Sequence, residues 1–564
     1  MFDRKAILYI LLGAIIFALV NAWQEDNRAV ERYRESMAGT ELEHPREAVS
    51  GQEKSESERT GGKTKEEHRV TQVKTKQQRY LKVLTDLFEI KINLEGGVLE
   101  EAKLLNYKKS LEINQPIVLL SSESPDFYVA DSGIAFGPQL DRIHKFTSEK
   151  EQYQLEEDQD SLTLTISSRK AGIVVHKIFT FYRGKYEIKV EHEISNRAKI
   201  ACDGHFYAEI SRQNSGTSAG LFKLSTYLGA AVSSEDKPYE KISFAELESI
   251  YKNKGGWIRN TKGGWIAMQQ RYFLTAWIPE VAEEYRYFGK LKDQVYTVGL
   301  VGSKLEVLPG ESRRIETKLY LGPEIASNLS PLAKGLDRTV DYGWLWIISV
   351  GLFWLLKGLY QLVGNWGAAI ILITLLIKLA FYKLSESSGR SMAKMKELMP
   401  KLQALKDKYG DDRAKLHQAT MDLYQREKVN PMNLGGCLPM LIQIPFFIAL
   451  YYVLVNAVEL RQAPFIFWIK DLSVQDPFYV LPILMGGSML LQQRFSPSTL
   501  DPAQAKMMMV MPVVFTFLFA TFPAGLVLYW LANNLLSLLQ QWQINRRLAE
   551  EKTSFRPSSG SRKQ

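Results

Sequence analysis

Along the chain, apolar and polar positions change pattern several times, and each pattern predicts a different kind of element. An apolar run from Lys5 to Trp23 follows the basic start Asp3-Arg4-Lys5 and stops before Gln24-Glu25-Asp26. This is the layout of a segment that enters a membrane with its positive flank held back. Val20-Asn21-Ala22 also carries the small residues of a cleavage site, so a removable secretory signal and a retained anchor both fit, and residues 1–23 are taken as an N-terminal transmembrane anchor. Residues 24–80 are dense in Glu, Lys, Arg, Ser, Thr and Gln with no apolar period. They bury too little surface to offset chain entropy and read as a flexible polar linker.

From 81 to 340 the period becomes two. Leu162-Thr163-Leu164-Thr165-Ile166 alternates as a half-buried strand does, and Ile173–Tyr182 and Tyr186–Ile194 flank Arg183-Gly184-Lys185 as a hairpin does. Similar β-branched and aromatic runs recur at Phe273–Ile278, Val295–Val301 and Ile315–Leu321. The expected fold of this region is a large antiparallel β-sandwich with a short helix near Phe244–Ile250.

After Tyr342 the chain turns strongly apolar. Residues 341–363 hold Trp344, Trp346, Trp354 and Tyr360 together with Lys357 and Gln361, which suits an amphipathic helix lying in the headgroup region. Spans are expected at about 365–384 (within 364–384) and, inside 436–543, at about 436–456, 477–494, 506–522 and 524–543, lengths that match a hydrocarbon core of roughly 30 Å. Between them, 385–435 repeats Met392, Met395, Leu398, Met399, Leu402 and Leu405 at helical spacing, turns at Gly410-Asp411-Asp412, and resumes with Leu416, Ala419, Leu423 and Tyr424. That is a helical hairpin. Its methionines Met392, Met395 and Met399 read either as an adaptable contact surface for apolar segments or as the hairpin's own seam.

Charge then orients the chain. Lysines and arginines crowd 385–435 and the tail 544–564, so both lie in the cytoplasm. With the amino terminus also inside, the number of spans is even. Six spans satisfy this if 341–363 lies on the membrane; counting it as a span gives seven and exports the tail. The formal charge of +9 and pI near 9.0 suit work beside anionic lipid or RNA. The mean hydropathy of −0.16 averages regions that have nothing in common. The two cysteines, Cys202 and Cys437, fall in such different surroundings that no disulfide is expected between them.

Three conventional catalytic signatures are absent: no G-x-x-x-x-G-K-[ST], no H-E-x-x-H and no C-x-x-C. His176 and His192 lie in expected strands and His205 stands near Asp203, and these are read as structural or surface histidines rather than as metal ligands or acid–base groups. Neither a cofactor, a metal nor an enzymatic activity is expected. The informative residue is Lys378, alone within Ile370–Tyr382. A lysine at that depth costs on the order of 2.5–3.5 kcal/mol on insertion scales, so it marks a functional site by default. Thr374 precedes it by one helical turn on the same face. Gln443, Gln492, Gln493, Asn533, Asn534 and Ser537 are the other polar residues of the spans, and no Asp or Glu is available there to neutralise the lysine. A water-filled pocket, snorkelling of Lys378 towards Lys383 and the basic loop, and simple helix–helix bonding by the amides are the competing readings.

Several motifs are similar to those of the YidC-type membrane protein insertases in their long Gram-negative form. They include Asn430-Pro431, Gly435-Gly436-Cys437-Leu438-Pro439, Gln443-Ile444-Pro445, Glu459-Leu460-Arg461-Gln462-Ala463-Pro464-Phe465 and Phe522-Pro523-Ala524-Gly525-Leu526-Val527-Leu528-Tyr529. Gly263-Gly264-Trp265-Ile266-Ala267-Met268 and Tyr320-Leu321-Gly322-Pro323 carry the likeness into the exported part. The resemblance implies a galactose-mutarotase-like β-sandwich in the periplasm and a helical core enclosing a hydrophilic groove. It further implies a bacterial inner-membrane insertase and chaperone for nascent membrane proteins, acting alone or with the secretory translocon, in contact with lipid and, through the basic hairpin and tail, with the ribosome, and not with DNA. Its groove would be lined by Lys378, Thr374, Gln443, Trp530 and Asn533. The family commonly has arginine where Lys378 stands and tyrosine where Trp530 stands, so here the charge is kept while a planar fork and a hydroxyl are lost. The alternative is a solute or ion transporter that uses the intramembrane lysine, for which no internal repeat is visible.

Overall fold

The computed structural model describes residues 80–554 except 138–140, 144, 215–226, 411, 428–437 and 496–501. The expected anchor and linker, Cys437 and the last ten residues lie outside the described residues.

The period-two region forms two packed sheets. One runs, strand by strand, Trp257–Lys262, Glu284–Lys292, Val295–Val307, Cys202–Gln213, Tyr128–Phe136, Val98–Lys108, Phe88–Asn93, Tyr80–Leu84 and Gln152–Gln154. The other runs Glu240–Ser243, Gly229–Ser233, Trp265–Gln270, Phe273–Pro279, Ser312–Pro323, Glu187–Asn196, Ile173–Tyr182, Ser161–Lys170 and Thr147–Ser148. All of these neighbours pair antiparallel except Tyr80–Leu84 with Gln152–Gln154. Alternation does its work strand by strand: Leu162, Leu164 and Ile166 face the core while Ser161 and Thr163 face out. The hairpin closes as its pattern predicts, with Phe181 opposite Ile188 and Gly184 at φ 70° in the turn, its N–H donating to Asp86. Between the sheets sit Trp265, Trp277, Phe179, Phe181 and Phe273, each at most 2 % exposed, and burial of such side chains contributes about 1.5–3 kcal/mol apiece. Their polar tips are satisfied: the Trp277 indole donates to the Glu209 carbonyl at 3.1 Å and the Trp265 indole to the Lys334 carbonyl at 3.1 Å. A helix spans Phe244–Lys254, capped by Ser243 at its start and by left-handed Gly255 at its end.

One inward position breaks the apolar rule. Lys177 points between the sheets, wholly buried, donating to the carbonyls of Gly97 and Ser132 at 2.7 Å each, with Asp131 at 3.8 Å.

The apolar third folds into helices Trp346–Val363, Trp366–Ala380, Tyr382–Tyr409, Arg413–Arg426, Leu438–Asn456, Val480–Phe495, Pro502–Phe519 and Ala524–Ser554. Three features add to the expected layout. The span expected over 365–384 is broken at Phe381, with a 59° bend into the next helix. The bend falls where the apolar run gives way to Lys383-Leu384-Ser385-Glu386. The basic tail, taken from 544, is helical as far as Ser554, where Ile544 packs inward and Arg546 and Glu550 pair at i,i+4. Trp346–Val363, read as lying on the membrane, is by length and composition also able to cross one.

The segment between Leu438–Asn456 and Val480–Phe495 is a scaffold. The Asp476 carboxylate accepts from Trp468 Nε1, Phe478 N and Leu481 N at 2.7–3.0 Å, fixing the start of the following helix. Ala524 N and Gly525 N donate to the carbonyls of Val474 and Leu472, which seats the start of the last helix. Arg461 and Gln462 reach back to the carbonyls of Lys108 and Lys109 in the sandwich, and Asn456 Nδ2 donates to the Asp341 carbonyl at 2.7 Å. The sandwich is therefore tied to the helices by backbone carbonyls rather than by apolar packing alone.

Candidate functional site

Lys378 sits in the last turn of Trp366–Ala380, a helix whose first turn is capped by Asn365. Its ammonium donates to Ser537 Oγ at 2.8 Å and to Gln443 Oε1 at 3.3 Å. Gln443 Nε2 donates in turn to Asn533 Oδ1 at 2.6 Å, and the Ser537 hydroxyl donates to the Asn533 carbonyl at 2.6 Å. The Tyr529 hydroxyl also reaches Gln443. A continuous polar chain thus joins three helices, Trp366–Ala380, Leu438–Asn456 and Ala524–Ser554. Among the described residues no carboxylate lies close enough to pair with or act on Lys378. Two of the three N–H bonds of the ammonium are occupied by neutral acceptors.

The sequence-derived site residues divide into two groups. Lys378, Gln443 and Asn533 come together in the polar chain, and Ser537, noted in the sequence only as one polar residue of the last span, turns out to be the lysine's nearest partner. Thr374 does not join them. It is 1 % exposed and its hydroxyl donates to the Ile370 carbonyl of its own helix at 2.6 Å, the usual resting place for a threonine in an apolar helix. Trp530 packs in an aromatic cluster, with ring centroids 4.7 Å from Phe447 and 4.9 Å from Phe519, so it supplies apolar surface. Of the hairpin methionines Met399 is half-buried beside the buried Leu398, while the side chains of Met392 and Met395 lie outside the described residues. A separate, apolar cavity of about 380 Å³ lies against Ile371, Trp468, Leu484, Leu531 and Leu535.

The sandwich histidines do not converge. His176 Nδ1 is 2.7 Å from Ser167 Oγ, His205 Nδ1 is 3.1 Å from the Gly302 carbonyl, and His192 Nε2 is 3.4 Å from Ser132 Oγ. Burial, reinforced by nearby Lys177, pushes His192 down to about 3, so it stays neutral. Among the described residues no group of three or more His, Cys, Asp or Glu side chains is placed to hold a metal.

Comparison with known proteins settles the family. Residues 80–355 match the model of the YidC periplasmic domain, and residues 358–552 match that of the 60Kd inner membrane protein. The membrane protein insertase YidC of Legionella pneumophila (strain Paris) is 45% identical, covering 97% of this chain and 98% of its own. That of Coxiella burnetii (strain RSA 493 / Nine Mile phase I) is 42% identical, covering 98% of each. The chain belongs to the YidC membrane protein insertase family. It is accordingly an inner-membrane protein with a periplasmic domain, and the transporter alternative finds no support among these relatives. A solved structure of an active YidC insertase with its first transmembrane domain resolved is 20% identical, with a TM-score of 0.36, and covers 82% of this chain and 92% of that one. A galactose mutarotase related enzyme from Lactobacillus acidophilus is 6% identical with a TM-score of 0.27, over 43% of this chain and 97% of its own. Within a YidC insertase, the polar chain around Lys378 is the feature that demands a function.

Proposed function

We propose that this chain inserts and helps fold nascent inner-membrane proteins, without nucleotide hydrolysis, by receiving their short polar segments beside Lys378. The observation that carries this reading is a half-buried ammonium bonded only to neutral Ser537 and Gln443 among the described residues. An unneutralised cation in a low-dielectric site attracts an incoming carboxylate strongly, and hydration around the polar chain lowers the cost of carrying a polar segment part-way across. The apolar part of the substrate then leaves along the greasy surfaces near Trp530, Phe515 and Phe519. No covalent bond changes.

In this reading both termini and the helices Tyr382–Tyr409 and Arg413–Arg426 are cytoplasmic. The hairpin methionines Met392, Met395 and Met399 meet the substrate first, Trp346–Val363 rests in the membrane surface, and six segments span. The protein works alone or beside the secretory translocon, with the ribosome approaching the basic hairpin and tail. Support comes from the lysine and arginine clusters at 385–435 and 544–564. The test is insertion of an acidic-tailed single-span substrate into vesicles holding the purified full-length protein. Lys378→Arg retains insertion and Lys378→Ala loses most of it; equal activity of the three proteins overturns the electrostatic account.

A further inference from the structure

A cavity of about 510 Å³ opens between Trp366–Ala380, the start of Tyr382–Tyr409 and Ala524–Ser554, and neither Gln443 nor Asn533 lines it. Two helical stripes face each other across it. Leu375, Lys378 and Leu379 recur at i, i+3 and i+4, and Tyr382 joins them from just past the bend at Phe381; Leu539, Trp542, Gln543, Arg546 and Arg547 recur at i, i+3, i+4, i+7 and i+8 on the opposite helix. Its polar groups are mostly donors. Lys378 keeps one N–H beyond those given to Ser537 and Gln443. The Tyr382 hydroxyl and Gln540 Nε2 are buried and have no hydrogen-bond partner among the described residues, a cost of about 1–3 kcal/mol each unless a ligand or water accepts from them. Arg546 is paired with Glu550 at 2.9 Å and Arg547 stands 3.9 Å from Glu386, and both guanidinium groups remain half or more exposed. Three cations therefore line the cavity against one lining carboxylate, Glu550.

The remaining wall is apolar and continues onto open surface, with Leu379, Leu539 and Trp542 each about 60 % exposed. Arg546 stands 22 positions after Ala524, about 33 Å along an α-helix, which is the thickness of a hydrocarbon core. The cationic end thus lies at headgroup depth and the apolar end among acyl chains. A soluble anion has no use for the apolar end, and a neutral lipid tail leaves the buried donors unanswered.

We propose that this cavity binds one anionic phospholipid, its phosphate held by Arg546, Arg547 and Tyr382 with Lys378 behind, and its acyl chain along Leu379, Leu539 and Trp542. It shares only Lys378 with the insertion site and rests on the membrane placement of the two helices, not on the insertion route.

The test is native mass spectrometry of the full-length protein in a neutral detergent, titrated with dioleoyl phosphatidylglycerol and, separately, dioleoyl phosphatidylcholine. The expected result is retention of one phosphatidylglycerol in clear preference to phosphatidylcholine. Arg546→Gln with Arg547→Gln, both exposed enough to leave the fold intact, weakens that retention about thirtyfold. Tyr382→Phe weakens it about threefold. Equal retention of the two lipids, or a preference unchanged in both variants, overturns the proposal. Release of the lipid by millimolar inorganic phosphate makes this a soluble-anion site and also overturns it, as does release by a soluble acidic peptide, which assigns the cavity to the substrate. Insertion is not the readout, so failure here leaves the Lys378 insertion reading standing, and failure of that reading leaves this one.

Discussion

Among the described residues two lysines are drawn out of water in opposite ways, Lys177 wholly buried and Lys378 half-buried. Lys177 lies between the two sheets, wholly enclosed, with two carbonyls at 2.7 Å and Asp131 at 3.8 Å. Lys378 lies among apolar helices with a hydroxyl and an amide for partners and, among the described residues, no carboxylate. Burial pulls Lys177 down to about 8 while Asp131 opposes the shift, and burial in turn raises Asp131. In the sandwich the protein itself supplies the counter-charge, so the lysine is part of the fold. In the helices no counter-charge is supplied among the described residues, which is why the proposed insertion reading places an incoming carboxylate there. Depth alone therefore does not mark a functional charge; the missing partner does.

The sharpest way to break this contrast is to truncate both lysines and compare fold with function. Lys177→Ala leaves Asp131 and two carbonyls unanswered in a packed core, and is expected to destabilise the sandwich by about 3–5 kcal/mol. Pairing Lys177→Met with Asp131→Asn recovers much of that loss, because the cavity is filled and the orphan charge removed. Hydrogen exchange in the strands Ile173–Tyr182 and Tyr128–Phe136 of the full-length protein reads both. If Lys177→Ala leaves exchange in these strands unchanged, the structural role assigned to this lysine is wrong.

A second lever is pH at the junction of the two regions. Glu324 is buried at the end of the strand Ser312–Pro323, accepts from Gln269 Nε2 at 2.9 Å and faces Asp341 and Lys241. Burial raises its carboxyl from 4.5 to about 8, with Gln269 and Lys241 opposing and Asp341 adding to the rise. The folded state therefore holds this proton more tightly than the unfolded chain. The resulting stability is present in full below pH 4.5 and is lost as pH rises to about 8, a fall of up to about 4 kcal/mol. Glu324→Gln removes the dependence. Exchange of the segment 324–342 measured between pH 5 and 8 decides it, and a slope that persists in the variant assigns it to another group.

On the helical side the expected effect is on function rather than fold. Lys378→Ala leaves Gln443, Asn533 and Ser537 able to bond one another, so stability changes by under about 1 kcal/mol. Insertion of an acidic-tailed substrate falls about tenfold, equivalent to roughly 1.4 kcal/mol of lost attraction. Unfolding midpoints and insertion yields measured on the same preparations separate the two effects.

What the sequence made legible follows from how local each signal is. Alternation in Leu162–Ile166 and the turn at Gly184 are read within ten residues, and the structure places both as the pattern predicts. Lys378 was legible because nothing polar surrounds it in the chain. Lys177 was legible only in part: alternation sets it on the inward face with Val175, Phe179 and Phe181, but the Gly97 and Ser132 carbonyls and the Asp131 carboxylate that receive it come from other strands. Thr374 shows the converse error. Sharing a helical face with Lys378 placed it near the lysine, yet its hydroxyl turned back to its own backbone, a choice that spacing does not encode. The spacings of Leu375, Lys378 and Leu379 and of Leu539, Trp542, Gln543 and Arg546 are visible in each helix separately; that they face each other, with Tyr382 brought in past the bend, is a tertiary fact.

The smallest expected effect tests whether the lysine's neighbours tune it. Ser537 Oγ is its nearest acceptor at 2.8 Å and is itself aligned by donating to the Asn533 carbonyl at 2.6 Å. In Ser537→Ala the ammonium keeps its bond to Gln443 but loses the acceptor that holds it towards the last helix. One hydrogen bond to a charged group is worth about 1.5–3 kcal/mol in a dry site and less where water replaces it. A hydrated groove therefore predicts no more than about a threefold change in insertion, with Lys378 still present to attract acidic segments. A loss as large as that of Lys378→Ala points to a dry site in which Ser537 is indispensable, and the sites of Lys177 and Lys378 then differ in charge balance but not in water.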